Sequence, residues 1–199
     1  WSFDVDYREE LLFPDSFEIA YPEWEGSRSA SYRFTTDVLR TNVIYAPGRP
    51  TLVDRPVEAS IVSLGESGED LIGLVAEPEM ESGDTYEVQT LINLPTIMEL
   101  RATDMDYPEW TARYLQLPED FSVEIAALSL KLLRDVENPY DMAATVTQYL
   151  RDNITYASTI APIPEGEDPI AWFLFESQEG FCNYYATAQV LMLRSVGIP

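Results

Sequence analysis

The front of the chain alternates between apolar and polar positions with a period of two, the signature of half-buried strands. In Ser31-Tyr32-Arg33-Phe34-Thr35, Tyr32 and Phe34 share one face while Ser31, Arg33 and Thr35 share the other. A second run extends from Val38 to Tyr45 and stops at Pro47-Gly48. Val57, Ala59 and Ile61 fall on one side of a third, and Gly65-Glu66-Ser67-Gly68 turns it into Leu71–Val75, which predicts a hairpin. Ser82-Gly83-Asp84 leads to a further strand from Tyr86 to Ile92. The strand-like signal spans Trp1 to about Leu100 and predicts an antiparallel β-sandwich or meander.

Near Arg101 the period changes. Tyr107-Pro108-Glu109-Trp110 opens a short helix to about Leu115, and Leu117-Pro118 separates it from the next. Between Glu119 and Asp135, Phe121, Ile125, Leu128 and Leu132 form one helical stripe. Asn138-Pro139 places a favoured cap before a proline at the first helical position. Met142, Val146, Tyr149 and Leu150 make the buried face that follows, and Asn153–Tyr156 leaves as a short extended piece. A loop with Pro162, Pro164 and Gly166 precedes a short apolar helix, Ile170–Phe175. The fold class expected is α+β, with a β-rich domain over 1–100 and a helical one over 101–199.

The last helix carries the candidate chemistry. Gly180-Phe181-Cys182 enters it, Gly197-Ile198-Pro199 ends it, and neither Gly nor Pro intervenes. Gly180 suits a backbone geometry that side chains resist. Ala186, Ala188, Val190, Leu191, Met192, Leu193 and Val196 make the helix apolar on several sides, which predicts a central, buried element. Cys182 is the only cysteine. A thiol in a first helical turn faces the positive end of the backbone dipole, which favours its anion and hence nucleophilic chemistry. A lone cysteine equally serves as a small buried hydrophobe. Acyl transfer also requires donors aimed at the developing oxyanion. The Cys182 N–H is one candidate, a Gln178 amide or a Trp172 indole the second, and Tyr184 is a candidate to flank the substrate. Trp172 beside Phe173 and Phe175 reads more readily as plain core, and Gln178 can be a plain loop residue.

Composition narrows the partners. With 46% hydrophobic and 12% aromatic residues the chain can build a real core. Its net charge of −23 sets 35 acidic residues against 12 basic ones, and Lys131 is the sole lysine. Nucleic acid and anionic membrane surfaces are therefore disfavoured as partners, since both are bound through clustered Lys or Arg. The carboxylate runs at Asp104-Met105-Asp106, Glu66–Asp70 and Glu165–Asp168 lack calcium-loop spacing and read as solvated surface. With one cysteine and no histidine the sequence offers no zinc site. It contains no Gly-rich phosphate loop, and no cofactor is expected. No apolar run approaches a membrane span. The abrupt start at Trp1-Ser2-Phe3 and stop at Ile198-Pro199 suggest a segment of a larger protein.

Gly-Phe-Cys-Asn-Tyr-Tyr-Ala-Thr-Ala (180–188) followed by Met-Leu-Arg-Ser-Val-Gly-Ile-Pro (192–199) resembles the nucleophile helix of the transglutaminase-like superfamily. Tyr114–Pro118, the segment from Ala143 to Tyr156, the Pro-Gly loop and Phe173-Leu174-Phe175 occur in that family's order. The resemblance implies a papain-like core with a Cys-His-Asp triad in which Cys182 is the nucleophile. It implies protein or peptide substrates bearing Gln or Lys side chains and a thioester intermediate. The family's His and Asp lie on strands after this helix, and these 199 residues contain no histidine, so the chain alone is expected to be inactive. The β-rich front resembles the extracytoplasmic segment of bacterial membrane-anchored members, whose membrane contact runs through segments outside this chain. On this reading an apolar patch around Val190 and Leu193 is left uncovered, with a disordered last turn or aggregation. The competing reading is a non-catalytic extracytoplasmic binding or scaffolding module on the same fold.

Overall fold

The computed structural model describes residues 6–23 and 26–199; the opening of the strand-like stretch, Trp1 to Val5, lies outside the described residues. The chain divides into two compact units, one ending at Leu94 and one running from Pro95 to Pro199.

The first unit is all antiparallel β. One sheet has the order β1-β5-β6-β3, formed by β1 (Arg8–Leu12), β3 (Arg40–Val43), β5 (Val57–Ser63) and β6 (Glu69–Glu81). The other has the order β2-β7-β4, formed by β2 (Arg28–Thr35), β4 (Arg49–Val53) and β7 (Thr85–Ile92). The expected hairpin is β5–β6, with Val57 opposite Ala76 and Ala59 opposite Leu74. Its turn is closed by the Leu64 N–H donating to Gly68 O at 2.8 Å. Val57, Ala59, Ile61 and Met80 from one sheet share a single core with Val53, Tyr86 and Val88 from the other. Phe34 stacks on its cross-strand partner Tyr86 at 5.1 Å. Each fully buried aliphatic side chain contributes about 1.5–3 kcal/mol, so this shared core holds the sandwich together.

Several boundaries differ from the sequence expectation. The Val38–Tyr45 run is a strand only over β3, and Leu39 is 85% exposed in the bend before it. Strand β4 escaped the periodicity because Pro50 interrupts it and its register on β7 shifts between Pro50 and Leu52. The Ser82-Gly83-Asp84 turn leads to the expected strand but carries the chain into the other sheet, for β6 and β7 belong to different sheets. Past Ile92 the strand signal ends, and α1 (Ile97–Arg101) is helical. Thr96 accepts from the Glu99 N–H while the Glu99 carboxylate accepts from the Thr96 N–H, a capping box that turns an apolar stretch into a helix.

The second unit packs α2 (Val123–Leu133), α3 (Pro139–Asn153), α4 (Pro169–Ala171) and α5 (Cys182–Arg194), preceded by a 3₁₀ segment at Glu109–Leu115. Helix α2 starts later than expected because Ser122 caps it, its side chain accepting from the Ile125 N–H. Its deepest line is Ile125, Ser129 and Leu133. Buried Ser129 satisfies its hydroxyl on Ile125 O at 2.9 Å, so a polar residue sits in a stripe that apolar periodicity cannot see. Asn138 caps α3 ahead of Pro139 as expected, and Val146 and Leu150 are buried. They join Phe173, Leu174, Ala188, Leu191 and Met192 in one core.

Candidate active site

The site is assembled from three short pieces of backbone. The first is the exit from α3. Ile154 is buried, and the chain extends into β8 (Thr155–Tyr156), which pairs in parallel with β9 (Glu179–Gly180). The Thr155 N–H donates to Gln178 O and the Ala157 N–H to Gly180 O, both at 2.8 Å.

The second piece is the helix before β9. Asp168 caps α4, its Oδ1 accepting from the Ile170 and Ala171 N–H groups at 2.8 and 2.7 Å. Over Trp172–Ser177 the helix widens into a π-helix rather than continuing as the α-helix expected. The widening drives Phe173 and Leu174 into the core, and such π segments cluster at functional sites. It ends at Gln178 in the left-handed region, φ 49° and ψ 30°, the one non-glycine residue with positive φ among those described.

The third piece is the entry to α5. The glycine at 180 is demanded by space, not by backbone geometry, which corrects the expectation. Its φ is not positive, but a Cβ there would lie 2.6 Å from Phe173 Cε2. Phe181 is the extended N-cap and Cys182 the first helical residue, exposed to solvent. Its thiol donates to Asn183 Oδ1 at 3.5 Å. Thr96, Ser122, Asn138 and Asp168 cap the other four α-helices through their side chains, whereas no side chain caps α5. The first amides of the cysteine helix are thus left for an incoming oxygen.

Aromatic rings surround this entry. Tyr184 stacks on Phe173 at 5.5 Å and meets Phe181 edge-on at 5.0 Å. Tyr185 meets Phe173 edge-on at 5.4 Å, and its hydroxyl donates to Ile154 O at 2.8 Å, tying α5 to the start of β8. Tyr156 lies over Tyr185 at 6.1 Å.

Of the sequence-derived candidates, Cys182 and Gln178 are exposed, while Trp172 and Tyr184 are half-buried. Gln178 is joined to β8 through its own carbonyl, and Trp172 begins the π segment. Asn183, Tyr156 and Tyr185 belong to the site and were missed; the ladder that brings Tyr156 beside Gly180 spans residues too distant for any local pattern. The helix itself is one-sided rather than buried all round. Ala188, Leu191 and Met192 face the core, whereas Cys182, Ala186 and Val190 form an exposed line at i, i+4 and i+8. Val190 is 42% exposed and Leu193 half-buried, an open apolar line as expected. The last turn is not disordered: the Ile198 N–H donates to Leu193 O at 3.1 Å and Ile198 is buried.

Cys182 is thus an exposed thiol opening a helix that follows directly on a parallel two-strand ladder. The family model of the transglutaminase-like superfamily matches residues 126–199, and over this segment the chain is similar to that superfamily. Among curated relatives, the uncharacterized protein YebA of Bacillus subtilis (strain 168) is 36% identical over 104 residues, covering 51% of this chain and 14% of that protein. A protein-glutamine gamma-glutamyltransferase of Pseudomonas aeruginosa is 26% identical over 180 residues, covering 89% of this chain and 26% of that protein. The chain thus spans about a seventh and about a quarter of the length of these two relatives. In fold it is similar to the crystal structure of the periplasmic domain of TgpA from Pseudomonas aeruginosa. That likeness has a TM-score of 0.57 at 18% identity and covers 99% of this chain and 67% of that one. No described helix is long and apolar enough to cross a membrane.

Proposed function

We propose that Cys182 is the nucleophile of an acyl-transfer enzyme acting on carboxamide or peptide groups of proteins, within an extracytoplasmic domain of a larger, membrane-anchored protein. The observation that carries this reading is an exposed thiol on the first residue of the one described α-helix without a side-chain cap. The sulfur attacks the carbonyl carbon, the C–S bond forms, and the oxyanion is met by the Cys182 N–H. Gln178 or Trp172 supplies a second donor. The C–N bond then breaks, the nitrogen leaves with a proton, and a thioester remains. A lysine amine or water attacks it and frees the sulfur. One relative named for protein-glutamine transfer supports protein substrates bearing Gln and Lys.

None of the 199 residues is a histidine, so the base that takes the thiol proton comes from outside them. That same absence favours a second reading, a non-catalytic binding or scaffolding module. One experiment separates them. Full-length protein is incubated with a glutaminyl peptide and a primary amine, and ammonia release is followed. Turnover that Cys182→Ala abolishes supports the enzyme; a full-length protein without turnover, whose Cys182 reacts with iodoacetamide no faster than a free thiol, supports the module. The 199-residue chain alone is expected to release no ammonia.

A further inference from the structure

Tyr156 is 65% exposed although it lies within a hydrogen-bonded ladder. Three contacts fix its position. The backbone on either side is tied to β9, through the Thr155 N–H to Gln178 O and the Ala157 N–H to Gly180 O. In register Tyr156 stands beside Gly180, which has no side chain to cover the ring. Below it lies Tyr185 at 6.1 Å, itself anchored by its hydroxyl on Ile154 O and by its edge on Phe173.

Both neighbours lie within three residues of Cys182 in the chain. Gly180 precedes Cys182 by two residues, and Tyr185 follows it by three, which places it on the adjoining helical surface. A lone exposed tyrosine is ordinary surface. One whose backbone is held in a ladder and whose ring is tilted over a second, anchored tyrosine has less freedom to lose when a ligand arrives.

We infer that Tyr156, supported by Tyr185, is a specificity-determining residue: it receives an aromatic or branched aliphatic side chain adjoining the carboxamide that acylates Cys182. The inference rests on the acyl-transfer reading of Cys182 and names the substrate side chain that this site selects.

The test uses the 199-residue chain, in which Cys182 is the only thiol and so the only site of label. Alkylation rates are measured with chloroacetamide and with N-(2-phenylethyl)chloroacetamide, and their ratio is compared with that for N-acetylcysteine. The chain is expected to exceed the small thiol in its preference for the phenylethyl reagent by about two- to tenfold, the size of one good aromatic contact. Tyr156→Ala removes that excess by lowering the phenylethyl rate, whereas Tyr156→Phe keeps it. An excess that is absent from the parent chain, or that survives Tyr156→Ala, overturns the inference. Ammonia release by the full-length protein reports on the acyl-transfer reading, so its failure is seen separately from failure of the Tyr156 contact.

Discussion

Gly180 lies flat against the ring of Phe173: a methyl group added at Gly180 would sit 2.6 Å from Cε2 and 2.8 Å from Cδ2. Phe173 is itself fully buried, so the ring has nowhere to retreat. Gly180→Ala is therefore an overpacking change and should cost about 1–3 kcal/mol in urea denaturation. Because the displaced segment is the entry to α5, the alkylation rate of Cys182 should change as well. Adding Phe173→Leu should restore part of the stability, which a purely conformational role for the glycine would not allow.

Tyr185→Phe removes the donor that satisfies Ile154 O, a carbonyl of a buried residue. The expected loss is about 1 kcal/mol, from an acceptor left without its partner. Burial first, and the neighbouring Tyr156 second, push the Tyr185 hydroxyl above the usual tyrosine range. The native state thus favours the protonated phenol. Its contribution is complete below the ordinary value of about 10 and fades as pH rises through the raised one. The stability gap between the parent and Tyr185→Phe should accordingly close under alkaline conditions.

Asp141 links α3 to α1. Its Oδ2 accepts from Asn138 Nδ2 and its Oδ1 from Arg101 Nε, each at 2.9 Å. The Asn138 amide chiefly, and then the Arg101 guanidinium, hold the carboxyl below its usual range. A depressed native value means stability that is present above the unfolded-state value and is lost as pH falls through the native one. Asp141→Asn should melt below the parent at neutral pH, and the difference should shrink on acidification. A difference that stays constant from pH 7 to pH 2 would refute this assignment.

What could be read from the sequence was whatever depends on near neighbours. Val57, Ala59 and Ile61 alternate because one face of β5 meets the core, and Asn138-Pro139 announces a helix start through its own chemistry. Cys182 at the head of α5 was legible for the same reason. Contacts between distant segments were not. The left-handed turn at Gln178 and the bare Gly180 make sense only once Phe173 has turned inward along the π segment. Nor does apolar composition reveal which side of a helix is covered, so α5 read as buried although Val190 is open. Thr96 shows the converse: its capping box is local, but it was hidden inside an apolar run that resembled a strand.

Gln178 offers a way to separate fold from chemistry. A left-handed conformation costs a non-glycine residue about 1–2 kcal/mol. Glycine removes that strain but gives back about 0.5–1 kcal/mol through its freer unfolded chain. Gln178→Gly should therefore stabilise the protein by about 0.5–1 kcal/mol in urea denaturation, whereas Gln178→Val, β-branched at φ 49°, should destabilise it. In the full-length protein the two consequences of the glycine variant should diverge. Loss of a side-chain donor to the oxyanion slows acylation about 10²–10³-fold with KM little changed. A stabilised variant with an undiminished rate would move the second donor from Gln178 to Trp172.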